Sequence, residues 1–114
     1  MKKITVKLSP DAKEVYFYLK QSRHKIDKSI LKAIENKKEH IKADHRYGNP
    51  IQKRLIPNYY KEKYSITNLY RVELPSFWRM LYTIREGGTE IEIIAFVIDI
   101  VDHEKYNKRF RYKK

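Results

Sequence analysis

Residues 69–110 read LYRVELPSFWRMLYTIREGGTEIEIIAFVIDIVDHEKYNKRF, and this stretch decides the fold. Residues 68–74 (NLYRVEL) predict a strand that ends at Pro75, which has no N–H to give to a ladder. Residues 77–85 (FWRMLYTIR) predict a second strand, and Glu86-Gly87-Gly88 supplies a tight turn where positive φ is cheap. Residues 90–100 (EIEIIAFVIDI) predict a third strand, apolar enough in its middle to be central and covered on both faces. Period-two alternation puts Trp78, Met80, Tyr82 and Ile84 on one face of the second strand. Phe77, Arg79, Leu81, Thr83 and Arg85 fall on the other. The tail from Asp102 reads as a short basic helix or an extended arm.

Upstream, residues 2–7 (KKITVK) alternate as a short strand. Ser9 followed by Pro10 is a helix start, a side-chain cap and then a residue whose missing N–H costs nothing at the first helical position. Ala12, Val15, Tyr16 and Leu19 recur at helical spacing to about Arg23. A second helix is expected from near Asp27 to Ala43, with Asp27 as cap and Ile26 stapled to Leu31. Residues 49–67 form a polar, basic, Tyr-rich connection that is either a functional loop or hides a short helix. The expected order is β-α-α-β-β-β: an α+β domain with an N-terminal strand, a helical hairpin and a three-stranded antiparallel meander.

The 114 residues suit a single domain spanning 1–114, and 41% hydrophobic residues suffice for one modest core. Zero cysteines exclude a disulfide framework, a thiolate metal site and a thiol nucleophile. No apolar run approaches the roughly 18 residues of a spanning helix, and MKKITVKLSP lacks the apolar stretch of a signal peptide. A cytoplasmic protein with no membrane role is therefore expected.

The formal charge is +12, and its distribution points to nucleic acid rather than to solubility alone. Lys105, Lys108, Arg109, Arg111, Lys113 and Lys114 crowd the last ten residues, and Lys53, Arg54, Lys61 and Lys63 share a central segment. Tyr59, Tyr60, Tyr64, Tyr70, Tyr106 and Tyr112 are interleaved with them, a pattern that suits unstacked bases. Lys53, Arg54, Lys108, Arg109 and Arg111 are thus candidate phosphate contacts.

Arg79 sits mid-strand among aromatic and aliphatic neighbours, so its guanidinium is either paired internally or aimed into a groove at an anion. Antiparallel pairing can bring Arg71 near it, although an ordinary surface arginine is the competing reading. His103 can exchange a proton near neutrality, and Tyr106 shares its face if the tail is helical. Scattered carboxylates (Glu73, Glu90, Glu92, Asp99) without HExxH or paired CxxC argue against a metal centre, and no Gly-rich phosphate loop is present.

Tyr70-Arg71-Val72, Trp78-Arg79-Met80-Leu81-Tyr82, the apolar third strand and the terminal His103 and Tyr106 together resemble the second half of the RelE/ParE superfamily. These are small basic toxins of type II toxin–antitoxin systems. The resemblance implies a RelE-like mRNA interferase: an endoribonuclease without metal or cofactor that acts on mRNA, free or at the ribosome, and is held inactive by a cognate acidic antitoxin. By the same resemblance Arg79 neutralises the phosphate in the transition state and Arg71 holds the scissile phosphate. Tyr106 stacks on a base or joins the proton transfer, and His103 is a general acid or base. Glu73 stands where related toxins carry a second basic residue; it is either the base or the mark of a weakened enzyme. Two alternatives stay open, a non-catalytic RNA- or ribosome-binding module and a gyrase-inhibiting ParE-like toxin.

Overall fold

A computed structural model describes residues 2–110; Arg111, the last of the expected phosphate contacts, lies outside the described residues. Strand β1 (Lys3–Leu8) leads into helices α1 (Pro10–Gln21) and α2 (Lys25–Ala43). A two-residue strand β2 (Asn49–Pro50), a 3-10 turn (Lys53–Leu55) and helix α3 (Asn58–Tyr64) follow. Strands β3 (Tyr70–Glu73), β4 (Arg79–Glu86) and β5 (Glu92–Val101) and helix α4 (His103–Phe110) complete the chain. The five strands make one sheet in the order β1-β5-β4-β3-β2.

The helical hairpin and the β3-β4-β5 meander are as expected, but the full order is richer. The connection 49–67 contributes β2 and hides α3, and the described part of the tail is helical from His103 to Phe110. The sheet is also mixed, because β1 runs parallel to β5 from the Lys3–Glu92 pair to the Leu8–Val97 pair. The whole of residues 9–91, beginning with the α1–α2 hairpin, forms the crossover that parallel pairing requires, and β5 is flanked by β1 and β4 as its apolar centre predicted.

Ser9 caps α1 through its Oγ, which accepts from the Ala12 N–H (3.0 Å) and donates to the Ile98 carbonyl (2.8 Å), pinning the helix start to β5. The expected cap of α2 fails. The helix begins two residues early, at Lys25, and Asp27 instead accepts from Ser22 Oγ at 2.6 Å. Ile26 is consequently inside the helix and exposed, so it staples nothing. The β4–β5 turn differs too: no glycine takes positive φ, and the Gly87 N–H closes the turn on the Glu92 carbonyl at 2.9 Å.

The sheet separates two cores. Leu19, Ile30, Ile34, Ile41, Met80, Tyr82, Val97 and Ile100 pack between α1–α2 and one face. Ile56, Tyr60, Leu69, Leu81, Ile98, Val101 and Tyr106 pack on the other, under α3 and α4. A register shift between Leu81 and Tyr82 pairs these with Asp99 and Val97, so Ile98 is the extra residue of a bulge in β5. The bulge resets the alternation after Ile98, so that Ile100 reaches the first core and Val101 the second. Among the described residues, no helix is long and apolar enough to cross a membrane.

Candidate active site

The β3–β4 register sets Glu73 opposite Arg79 and Arg71 opposite Leu81. Side chains two apart on a strand share a face, so Arg71, Glu73, Arg79 and Leu81 all point away from the α1–α2 hairpin. Strand β4 starts at Arg79 and β5 ends at its partner Val101, so helix α4 departs from the sheet beside Arg79. Asp102 caps that helix: its Oδ1 accepts from the Lys105 N–H at 2.8 Å and its carbonyl from the Tyr106 N–H at 2.9 Å. His103 therefore enters the helix next to Arg79, and Tyr106 follows three residues on, on the same side.

The resulting cluster is tight. Arg79 Nη1 donates to the Phe77 carbonyl at 2.7 Å and contacts His103 Nδ1 at 2.9 Å. Its Nε lies 3.4 Å from Glu73 Oε1, and its Cζ sits 4.5 Å from the centre of the Tyr106 ring. Glu73 Oε2 also lies 2.8 Å from Arg71 Nε as an ion pair, and Arg71 Nη1 donates to the Tyr106 hydroxyl at 3.0 Å. Arg71 and Arg79 thus meet through Glu73 rather than directly. The Arg79 side chain keeps 15% exposure while Glu73 keeps 53%, so the guanidinium is held from below and the carboxylate faces solvent.

Guanidinium N–H groups only donate. His103 Nδ1 is therefore the acceptor, and the neutral ring carries its hydrogen on Nε2. The Asn107 side-chain amide nitrogen lies 3.2 Å from His103 Nε2. Asn107 is a site residue that sequence reasoning misses; its i, i+4 spacing from His103 is the available signal. Tyr106 is buried, its ring stacked on Phe110 at 4.3 Å, so no face is offered to an incoming base. Its geometry is that of a post that holds both arginines.

Phe77 is expected in a strand and is not found in one. Pro75–Phe77 forms a 3-10 turn closed by the Trp78 N–H on the Pro75 carbonyl (3.3 Å), with the Leu74 N–H on the Trp78 carbonyl at 2.8 Å. Ser76 and Phe77 have φ of 58° and 63°. Two consecutive side-chain-bearing residues in the left-handed region cost roughly 1–3 kcal/mol each. The turn presents the Phe77 carbonyl to Arg79 and leaves the Phe77 ring 71% exposed.

The remaining basic candidates lie along one flank. Arg54, Lys61, Lys108 and Arg109 line a groove of about 490 Å³ with Tyr59 and Phe110. The Arg109 guanidinium lies over Tyr59, 3.9 Å from the ring centre. Lys53 is exposed on the same 3-10 turn as Arg54. Leu55 and Phe110 also border a smaller hollow of about 230 Å³ that reaches Arg71 and Tyr106. The groove and this hollow share Leu55 and Phe110 as a common wall.

Beside it, Tyr60 donates to Asp99 Oδ2 at 2.8 Å. Burial pushes the Asp99 carboxyl above the usual carboxylate range, with Tyr60, Lys105 and Arg109 opposing it, and burial also raises the Tyr60 phenol. Among the described residues, no three His, Asp or Glu side chains converge in a way that could hold a metal ion.

Among solved structures, the YoeB dimer from Staphylococcus aureus superimposes with a TM-score of 0.57, covering 89% of this chain and 98% of that one. The chain shares the YoeB fold. Identity to YoeB is 20%, so the likeness speaks for architecture. The α+β class expected from the sequence is the one found, while the element order differs by the addition of β2, α3 and α4 and the sheet is mixed. No protein-family model and no curated protein matches the sequence.

Proposed function

We propose that this protein is the toxin of a type II toxin–antitoxin pair, a metal-independent endoribonuclease that cleaves mRNA at the ribosome. The observation that carries the reading is the placement of Arg79: a guanidinium anchored by Phe77 and Tyr106, with a carboxylate at its Nε edge and an imidazole at Nη1. Such a cluster supplies the three parts of ribonucleotide transesterification. Glu73, acceptor-only and solvent-facing, takes the proton from the 2′-hydroxyl. The 2′-oxygen attacks the adjacent phosphorus, and Arg79 with Arg71 stabilises the charge that builds on the phosphorane. The P–O5′ bond breaks as His103, protonated at Nδ1 once the phosphate has drawn Arg79 Nη1 away from it, gives a proton to the leaving oxygen and returns to the neutral ring. The products are a 2′,3′-cyclic phosphate and a 5′-hydroxyl.

The groove through Arg54, Lys61, Lys108 and Arg109 carries the flanking phosphates, and the ribosome presents the message. A charge of +12 suits an acidic antitoxin segment laid over the same face. The test is primer extension on a translated mRNA with chelator present. Wild-type protein yields new 5′ ends and Arg79→Ala yields none while its circular dichroism is unchanged. Undiminished cleavage by Arg79→Ala overturns the assignment. One observation favours a second reading, RNA binding without cleavage: Glu73 already neutralises part of the guanidinium pair. That reading predicts salt-sensitive RNA affinity with no cleavage product.

A further inference from the structure

We infer that Phe77 is the platform on which the base of the nucleotide immediately 3′ of the cleaved bond stacks, making this residue a determinant of cleavage-site preference. The inference rests on the ribonuclease reading and adds a substrate contact to it. Phe77 is the most exposed of the large hydrophobic side chains among the described residues, at 71%. A lone exposed phenylalanine is ordinary on a surface, but this one is presented by a turn with two side-chain-bearing residues at positive φ, Ser76 and Phe77. Strain of that kind persists only where the surroundings enforce it, and here they do. The Phe77 carbonyl anchors Arg79 Nη1 at 2.7 Å, and two backbone hydrogen bonds close the turn. The ring is therefore tied to the reacting phosphate through a single arginine.

Direction follows from His103. The Phe77 and His103 rings have centroids 5.7 Å apart, tilted by 54°. His103 protonates the leaving 5′-oxygen, which belongs to the nucleotide on the 3′ side of the break, so that nucleotide's base is the one brought over Phe77. Tyr106, the other aromatic ring of the cluster, is buried under Phe110 and Arg79 and cannot take this place. An apolar ring reads π-surface rather than hydrogen-bond pattern, which favours purines over pyrimidines at that position.

The experiment uses translated mRNAs randomised at the nucleotide 3′ of the cut, with wild type and the variants Phe77→Ala, Phe77→Leu and Phe77→Trp. Loss of one stack is expected to raise KM about tenfold in Phe77→Ala, with kcat little changed. The purine preference should flatten in both Phe77→Ala and Phe77→Leu and survive in Phe77→Trp. The leucine variant separates stacking from packing, because it keeps the apolar bulk and lacks the π-face. A preference unchanged in the alanine and leucine variants, or absent from an active wild type, overturns the inference and leaves the ribonuclease reading standing. A wild type that cleaves no mRNA overturns both.

Discussion

Strands β3 and β4 present opposite chemistry on their two faces, and the two faces solve different problems. Toward the α1–α2 hairpin they turn Val72, Met80 and Tyr82, all buried in an apolar core. Toward α4 they turn Arg71, Glu73 and Arg79, where charge is concentrated and the adjoining turn is strained. One residue of register separates the two sets. The first face holds the sheet together, and the second spends part of that stability on holding cations within reach of solvent.

That contrast is sharpest in neighbouring residues. Arg79→Ala should lower mRNA cleavage by ~100- to 1,000-fold, the scale of losing one preorganised charge donor at a transition state, with little change in Tm. Met80→Ala should do the reverse. Met80 has 0% exposure, so truncation should cost ~3 kcal/mol of folding stability by urea denaturation. Activity of the molecules that remain folded should stay normal. If Arg79→Ala unfolds the chain, or Met80→Ala abolishes the activity of folded protein, the division between the faces is wrong.

A smaller effect tests the hydrogen bonds inside the structural face. The Tyr82 hydroxyl accepts from the Gly48 N–H at 2.8 Å and donates to the His45 carbonyl at 2.9 Å, joining β4 to the end of the helical hairpin. Burial pushes this phenol up to about 12. Tyr82→Phe strands both backbone groups and should cost ~1–3 kcal/mol, again without altering cleavage by the folded fraction.

Much of this division is legible in the alternation of residues 77–85, which by itself sets Met80 and Tyr82 against Arg79 and Leu81. The strong 3.6-residue pattern also marks both long helices, and Ser9-Pro10 marks the start of the first. What escapes is what local pattern does not encode. The parallel β1–β5 pairing joins residues far apart in the chain, as in the Lys3–Glu92 pair. The bulge at Ile98 breaks the alternation of β5 from within, and α3 is too short for its periodicity to rise above a polar, tyrosine-rich background. At the site, Arg71, Glu73, Arg79, His103 and Tyr106 come together, but the sequence leaves Tyr106 available to a base, whereas packing against Phe110 buries it. Phe77 reads as part of a strand because the left-handed turn at Ser76 uses no glycine and so carries no local signal.

Asp99 lies where the second core meets charge, and it gives a pH test. Its native carboxyl titrates above the ordinary value because burial penalises the anion. Across the interval between those two values the native state holds more protons than the unfolded chain, so this group makes stability fall as pH rises. Asp99→Asn removes the charge while Tyr60, whose hydroxyl can accept as well as donate, keeps a partner. The variant should have the higher Tm at neutral pH, and the gain should vanish below the ordinary carboxylate range. A Tm difference that does not vary with pH would show that the Asp99 charge is not what burial opposes.

The smallest expected effect separates two serines with nearly the same backbone. Ser65 (φ 53°, ψ 44°) closes helix α3, its N–H bonded to the Lys61 carbonyl, far from the arginine cluster. Ser76 (φ 58°, ψ 32°) sits in the turn that presents Phe77 and anchors Arg79. Glycine relieves the left-handed penalty at either place, so Ser65→Gly and Ser76→Gly should each gain roughly 1 kcal/mol of stability. Their consequences for cleavage should differ. Ser65→Gly ends a helix more comfortably and should leave KM unchanged. Ser76→Gly frees the turn to sample other conformations and should raise KM, because a platform that wanders must be ordered by the substrate at each encounter. Equal stabilisation with an unchanged KM in both would mean that the strain beside Arg79 is incidental to substrate binding, and the two left-handed serines would then be the same structural device used twice.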